Sequence, residues 1–212
     1  MPGVCVAGLF GYDENEKRNL NLFTQWLSVL ERHIKDRIPD RIPDQISDQI
    51  SDQISGGNCE GHNLDQCHVS HWMAFLKSIQ NLPDYEQMVR VNNFANKQNY
   101  VFDIDNYGVE DYWATPREFL SNHGDCEDYA ITKMLSLKIL GFDMQGIRLV
   151  VLQDTNLRIA HAVLAVDVKT DKQNDTLIMD NQIDEIVSHK YILHYVPVYA
   201  VSEKKWWLFL PH

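Results

Sequence analysis

No apolar run in this sequence approaches the roughly 20 residues that a membrane-spanning helix needs, so nothing in it reads as a membrane anchor. Positive charge is scarce: 19 Lys and Arg residues face 30 Asp and Glu, a formal net charge of −11. Nucleic acids and anionic membranes both call for a basic patch, so neither is expected as a partner. Calcium or a cationic partner suits such a surface better. Cysteine is sparse too, with Cys5, Cys59, Cys67 and Cys126 only. Cys126 has no pairing partner close in sequence, which leaves it free for chemistry. The start, MPGVCVAGLFGYDENEKRN, lacks the basic segment that opens a secretory leader. It reads either as a plain start or as the tail of a leader that begins upstream.

What remains is ordinary globular composition over 212 residues, 44% of them hydrophobic, which suits a single domain over 1–212 with a sizeable core. Residues 15–35 place Leu22, Phe23, Trp26, Leu27, Leu30 and Ile34 at helical spacing and predict an amphipathic helix. A tetrapeptide then repeats five times over 37–56 (RIPDRIPDQISDQISDQISG). Its Ile stripe drifts by about 40° per repeat on a helix of 3.6 residues per turn, and Pro39 and Pro43 remove helix bonds. It reads as a low-complexity insertion. The next stretch, GGNCEGHNLDQCHVSH, offers three readings: a zinc site of non-standard spacing, a Cys59–Cys67 disulfide, or free side chains in a loop. Helices are expected from His71 to Pro83 and around 84–96.

Asp103 and Asp105 resemble the start of an EF-hand loop, but the central Gly and terminal Glu are missing. Thr115 before Pro116 marks a helix start. A helix over 125–140 ends at Gly141. Its rows Ala130, Met134, Leu137 and Ile131, Leu135, Ile139 imply burial against more than one layer. GIRLVVLQD, LRIAHAVLAVDV and TLIMDNQID then read as antiparallel strands, with a last pair at VPVYAV and KKWWLFL. Helices first and an antiparallel sheet after make the fold class α+β.

Chemistry concentrates at NHGDCEDYAITK. Cys126 falls in the first turn of a helix, where free N–H groups and the dipole lower a thiol's pKa. Yet Asp125, Glu127 and Asp128 flank it, and nearby negative charge raises that pKa. The bland role for the three acids is helix capping. Strand alternation puts His161, Val163 and Ala165 on one face, and folding about the 169–175 turn brings Asp180 near His161. A cysteine at a helix start, a histidine on one strand and an aspartate on the next form a nucleophile, a base and an orienter. The chain order is that of papain-like enzymes and transglutaminases.

The stretches VNNFANKQNYVFDID, EDYWATPREFL, GDCEDYAITK, LRIAHAVLAV, IMDNQID and PVYAV, spread over roughly residues 85–200, resemble the bacterial transglutaminase-like cysteine proteinases. The resemblance implies a papain/transglutaminase-like core with N-terminal helices packed on an antiparallel sheet. It further implies a calcium-dependent periplasmic endopeptidase that cuts a small, Ala-rich site near the N-terminus of a large surface adhesin and so controls biofilm attachment. An inner-membrane cyclic di-GMP receptor of the LapD type would sequester it. By position, Cys126, His161 and Asp180 become the triad, and Asp125, Glu127 and Asp128 the Ca²⁺ ligands. Ca²⁺ takes six to eight oxygens, so carbonyls of the 101–112 loop, Asp105 or Asp111 remain candidates to complete the shell. Departures from the family pattern are the insertion at 37–71, Tyr107 where a Trp is usual, and Ala95 in place of a Phe. A transglutaminase or amidase with the same triad, and a non-catalytic calcium-binding docking module, are the other function classes open.

Overall fold

The computed structural model describes residues 8–42, 64–169 and 174–211. Among the described residues, six α-helices precede or flank the sheet: α1 (Thr24–Lys35), α2 (Leu64–Ile79), α3 (Asp84–Asn96), α4 (Asp103–Asn106), α5 (Pro116–Asn122) and α6 (Cys126–Leu140). The strands are β1 (Asp13–Lys17), β2 (Ile147–Asp154), β3 (Ile159–Lys169), β4 (Asn174–Met179), β5 (Val187–Ser188), β6 (Tyr195–Val201) and β7 (Trp206–Leu210). They form one antiparallel sheet in the order β1-β7-β6-β2-β3-β4-β5. The α+β reading holds.

The helices cover one face of that sheet. α6 lies against β2 and β3 on one side and α3 and α5 on others, so nearly all its residues are buried. Ala162, Leu164 and Val166 of β3 belong to this main core with Met134, Leu135 and Trp72. The buried indoles find acceptors, as a desolvated N–H must: Trp26 donates to the Ser202 carbonyl and Trp72 to Ser136 Oγ, both at 2.9 Å. The opposite face carries a smaller cluster of Val150, Leu152, Val163, Ala165, Ile178 and Tyr195, closed by Leu9 and Phe10. Gly141 ends α6 in the left-handed region at φ 94°, as its place at the C-terminus requires.

Two expectations are corrected. The helix predicted over 15–35 begins only at Thr24, and residues 13–17 form β1 instead. β1 is a fully exposed edge strand paired with β7 and held by ion pairs, Glu14 to Arg148 at 2.6 Å and Glu16 to Lys205 at 3.0 Å. Tertiary pairing thus overrides a charged sequence with little strand propensity of its own. Within α1 the buried stripe is Trp26, Val29 and His33, whereas Leu22 and Ile34 are exposed. The strand expected over 176–184 stops at Met179, because the chain turns at Asp180 and bonds α3: Asn92 donates to the Asp184 carbonyl and Asn96 to that of Asp180, both at 3.0 Å. Most of the repeat, with Cys59 and His62, lies outside the described residues. Cys67 is disulfide-bonded and Cys126 is free. Among the described residues, the groups positioned to hold a metal do not include Cys67, His68 or His71.

Candidate active site

Three elements converge on one point. Strand register supplies the first pair: Leu164 of β3 faces Met179 of β4, so Asp180, one residue on, lies diagonal to His161 on the same face. His161 Nε2 meets Asp180 Oδ1 at 3.0 Å, with both side chains buried. Asp180 has both oxygens engaged. Its Oδ1 also accepts the Gln182 N–H at 2.9 Å, and its Oδ2 accepts the Tyr195 hydroxyl at 2.5 Å. Burial alone would raise its pKa, but the bonds from His161, Gln182 and Tyr195 outweigh it and hold the carboxyl below the usual range. Tyr195 packs edge-on to the imidazole with ring centres 5.8 Å apart. Sequence reading passed over Tyr195. A buried phenol must find a partner, but that its partner is Asp180, with β2 and β3 lying between their two strands, needs the sheet order.

Cys126 opens α6 and supplies the third element. The backbone N–H of Ala162, the residue after His161, lies near enough to its sulfur to favour the thiolate, which places the thiol beside the His161–Asp180 pair. The Tyr100 hydroxyl is also on the sulfur, and the thiol donates to Glu127 Oε2 at 3.4 Å. Tyr100 is tied to the cysteine loop by its bridge with Gly124 and by the Val101 N–H on the Gly124 carbonyl at 2.9 Å. Burial pushes the Cys126 thiol well above its ordinary range, and the Glu127 and Asp125 charges push it further. The acids oppose ionisation, as the sequence suggested.

Those acids are crowded. Asp128 is fully buried, and both its oxygens serve the backbone: Oδ1 accepts the Ala114 N–H at 2.6 Å and Oδ2 the Asp125 N–H at 3.3 Å. The capping role is therefore real. It also explains Gly124, since a Cβ there would sit 2.0 Å from Asp128 Oδ2. Asp125 and Glu127 share a hydrogen bond: burial, that bond and the Asp125 and Asp128 charges raise Glu127 to about 10, while burial and the Asp111 charge raise Asp125 above its usual range although the bond from Glu127 opposes it. Asp103, from α4, is 2% exposed and pushed up to about 6 by burial.

Carboxylate oxygens of Asp103, Asp125 and Asp128 converge within 4.8 Å of one another, and so do those of Asp103, Asp111 and Glu127. Asp103 Oδ1 and Asp125 Oδ1 are buried without a hydrogen-bond partner. All-oxygen donors with unsatisfied buried atoms fit a hard cation such as Ca²⁺. Of the added ligands left open by the sequence, Asp111 joins these groups and Asp105 does not; Asp103 enters unforeseen. Its resemblance to an EF-hand start misleads, since Asp111 comes from its own loop but Asp125, Glu127 and Asp128 come from the start of α6.

The profile of the bacterial transglutaminase-like cysteine proteinases matches residues 58–211. The chain belongs to this family. Among solved structures, Legionella pneumophila LapG superposes with a TM-score of 0.61 at 27% identity, over 75% of this chain and 87% of that one. Calcium-bound LapG of the same organism matches with a TM-score of 0.61 at 28% identity over 76% and 86%, and EGTA-treated LapG with 0.61 at 27% over 75% and 84%. Among curated protein sequences none matches. As a family member the chain is a cysteine proteinase built on the LapG-like α+β fold. Among the described residues, no helix is long and apolar enough to cross a membrane.

Proposed function

We propose that this proteinase is a calcium-dependent endopeptidase with Cys126 as nucleophile, His161 as base and Asp180 as orienter, and that it trims the N-terminal region of a large surface adhesin in the periplasm. The observation that carries the reading is the 3.0 Å His161–Asp180 contact, with the next residue's N–H near enough to the Cys126 sulfur to favour its thiolate. With Nε2 committed to Asp180, Nδ1 of His161 takes the thiol proton. The thiolate then attacks a peptide carbonyl, and the Cys126 backbone N–H at the helix start stabilises the oxyanion. His161 returns the proton to the leaving amine, and water, deprotonated by the same nitrogen, releases the acyl group. Asp103, Asp111, Asp125, Glu127 and Asp128 would hold Ca²⁺. When bound, that ion supplies positive charge that offsets the acids around the thiol.

Similarity to the calcium-bound LapG structure supports the ion. Resemblance to the family supports the adhesin, the control of biofilm attachment and sequestration by an inner-membrane cyclic di-GMP receptor. The disulfide at Cys67 suits an oxidising compartment such as the periplasm. The test is proteolysis of an adhesin N-terminal fragment with and without EGTA. Cleavage is expected only with calcium, and Cys126→Ala should abolish it while leaving the thermal melt within a degree or so. Full cleavage by that variant would sink the reading.

A further inference from the structure

One polar stripe of α1 reaches toward the acidic half of the site. Gln25, Ser28, Arg32 and Asp36 recur at helical spacing, beside the buried stripe of Trp26, Val29 and His33. Gln25 Nε2 donates to the Asp111 carbonyl at 2.7 Å. The Arg32 guanidinium donates to the Trp113 carbonyl at 2.5 Å, to the Tyr112 hydroxyl at 2.9 Å and to the Glu118 carboxylate. Its Nε donates to Ser28 Oγ at 3.3 Å, which ties the side chain to its own helix. Asp36, which caps α1, accepts the Thr115 hydroxyl at 3.3 Å.

The two carbonyls that α1 holds belong to peptide units whose N–H groups are also spoken for. The Asp111 carbonyl shares its unit with the Tyr112 N–H, which donates to Asp103 Oδ2 at 2.5 Å. The Trp113 carbonyl shares its unit with the Ala114 N–H, which donates to Asp128 Oδ1 at 2.6 Å. Both units are trans, so each is a rigid plane with its C=O and N–H on opposite edges. α1 thus grips one edge of each plane, and a carboxylate of the calcium cluster rests on the other. Bonds in such a chain polarise one another and strengthen together.

We propose that α1 sets the calcium affinity of this site: Gln25 and Arg32 are positioning residues that fix two peptide planes, and through them Asp103 and Asp128, in place for the ion. The inference rests on the calcium reading of the acidic cluster and adds what preorganises it. α1 lies ahead of the matched family segment at 58–211, so this support comes from a different part of the chain. The fork of Arg32 serves several acceptors at once, which the single ammonium of a lysine does not. As a bare charge Arg32 opposes binding of a cation nearby, so its charge and its positioning act with opposite signs on calcium affinity.

The experiment is calcium titration by calorimetry on the full chain stripped of metal, well below the melt of every variant, so that a loss of fold stability alone leaves Kd unmoved. Removing support from metal-ligating groups costs about 10- to 100-fold in affinity, and Arg32→Ala should raise the Kd for Ca²⁺ within that range. Arg32→Lys should recover little of the loss. Gln25→Ala removes only a side-chain amide and should raise the Kd about threefold with the fold intact. Lys35→Ala breaks an exposed pair with Glu31 on the same helix and should leave the Kd unchanged. A Kd unchanged or lowered in Arg32→Ala or in Gln25→Ala overturns the clamp and leaves the calcium site standing. So does a Kd fully restored by lysine, or an equal rise in Lys35→Ala. Absence of calcium uptake by the wild type overturns both this inference and the calcium reading beneath it.

Discussion

The two halves of the site are built on opposite principles. On the strands, Asp180 is sealed from solvent with both oxygens hydrogen-bonded, and its carboxyl is held below the usual range. At the start of α6, acids are packed against acids: Asp103 and Asp125 each keep a buried oxygen without a partner, and their carboxyls lie above the usual range. The first half is complete with protein groups alone, and the second is a set of donors suited to an ion. The pKa directions follow from that difference, since bonds to an anion lower its pKa while burial beside other anions raises it. One half should therefore respond chiefly to mutation and the other chiefly to calcium.

The largest expected effect is on the strand side. Asp180→Asn keeps the shape but removes the charge that orients His161, and cleavage of an adhesin fragment should fall by about 10³- to 10⁴-fold. Its acid stability should change as well. A depressed carboxyl contributes stability above its unfolded pKa of about 4 and loses it as pH falls through the folded value. Wild type should therefore lose stability below about pH 4, and the variant should show a shallower acid limb in melts taken from pH 2 to 6. An unchanged acid limb would mean that the His161–Asp180 contact carries little folding energy.

The acidic half predicts the reverse trend. A carboxyl whose folded pKa is raised destabilises the fold as pH climbs above its unfolded value, and the cost is complete above the folded one. For Asp103 that window runs from about 4 to about 6. Calcium-free protein should therefore melt lower at pH 8 than at pH 5, with calcium stabilising it more at pH 8. Near 100 times Kd the gain is about 2.7 kcal/mol, or several degrees for a chain of this size. Asp103→Asn should shrink that calcium-dependent shift. An EGTA effect of equal size at pH 5 and pH 8 would break the contrast between the halves.

Much of this was legible in the residues. Cys126, His161 and Asp180 follow from helix-start and strand-alternation patterns, because both are local and periodic. Asp103 was not, since nothing local marks which loop carboxylate will be folded against α6. β1 was not either, because DENEK has no strand pattern and is held by β7, Arg148 and Lys205 from the far end of the chain. The contact of Tyr195 with Asp180 depends on the sheet order, which no single strand contains.

Removing the Tyr195 hydroxyl tests how much of the strand-side order depends on Asp180's second oxygen. In Tyr195→Phe, Asp180 keeps its bonds to His161 and Gln182 but loses the one at 2.5 Å. One hydrogen bond to a carboxylate corresponds to about tenfold. The loss should appear in kcat with KM nearly constant, because the phenol touches the acid and not the substrate. An equal rise in KM would assign Tyr195 to substrate binding instead.

The smallest effect bridges the halves. Tyr100 places its hydroxyl on the Cys126 sulfur, on the same side of the site as the acids that oppose ionisation. A phenol that donates to a thiolate favours the charged form. Tyr100→Phe should therefore slow iodoacetamide alkylation of Cys126 at neutral pH by about threefold, a fraction of one neutral hydrogen bond. Calcium should speed alkylation in both proteins by the same factor, because the hydroxyl and the ion act on the sulfur through separate contacts. A calcium effect that disappears in Tyr100→Phe would mean instead that the acidic half reaches the nucleophile through Tyr100, making the two halves one coupled unit.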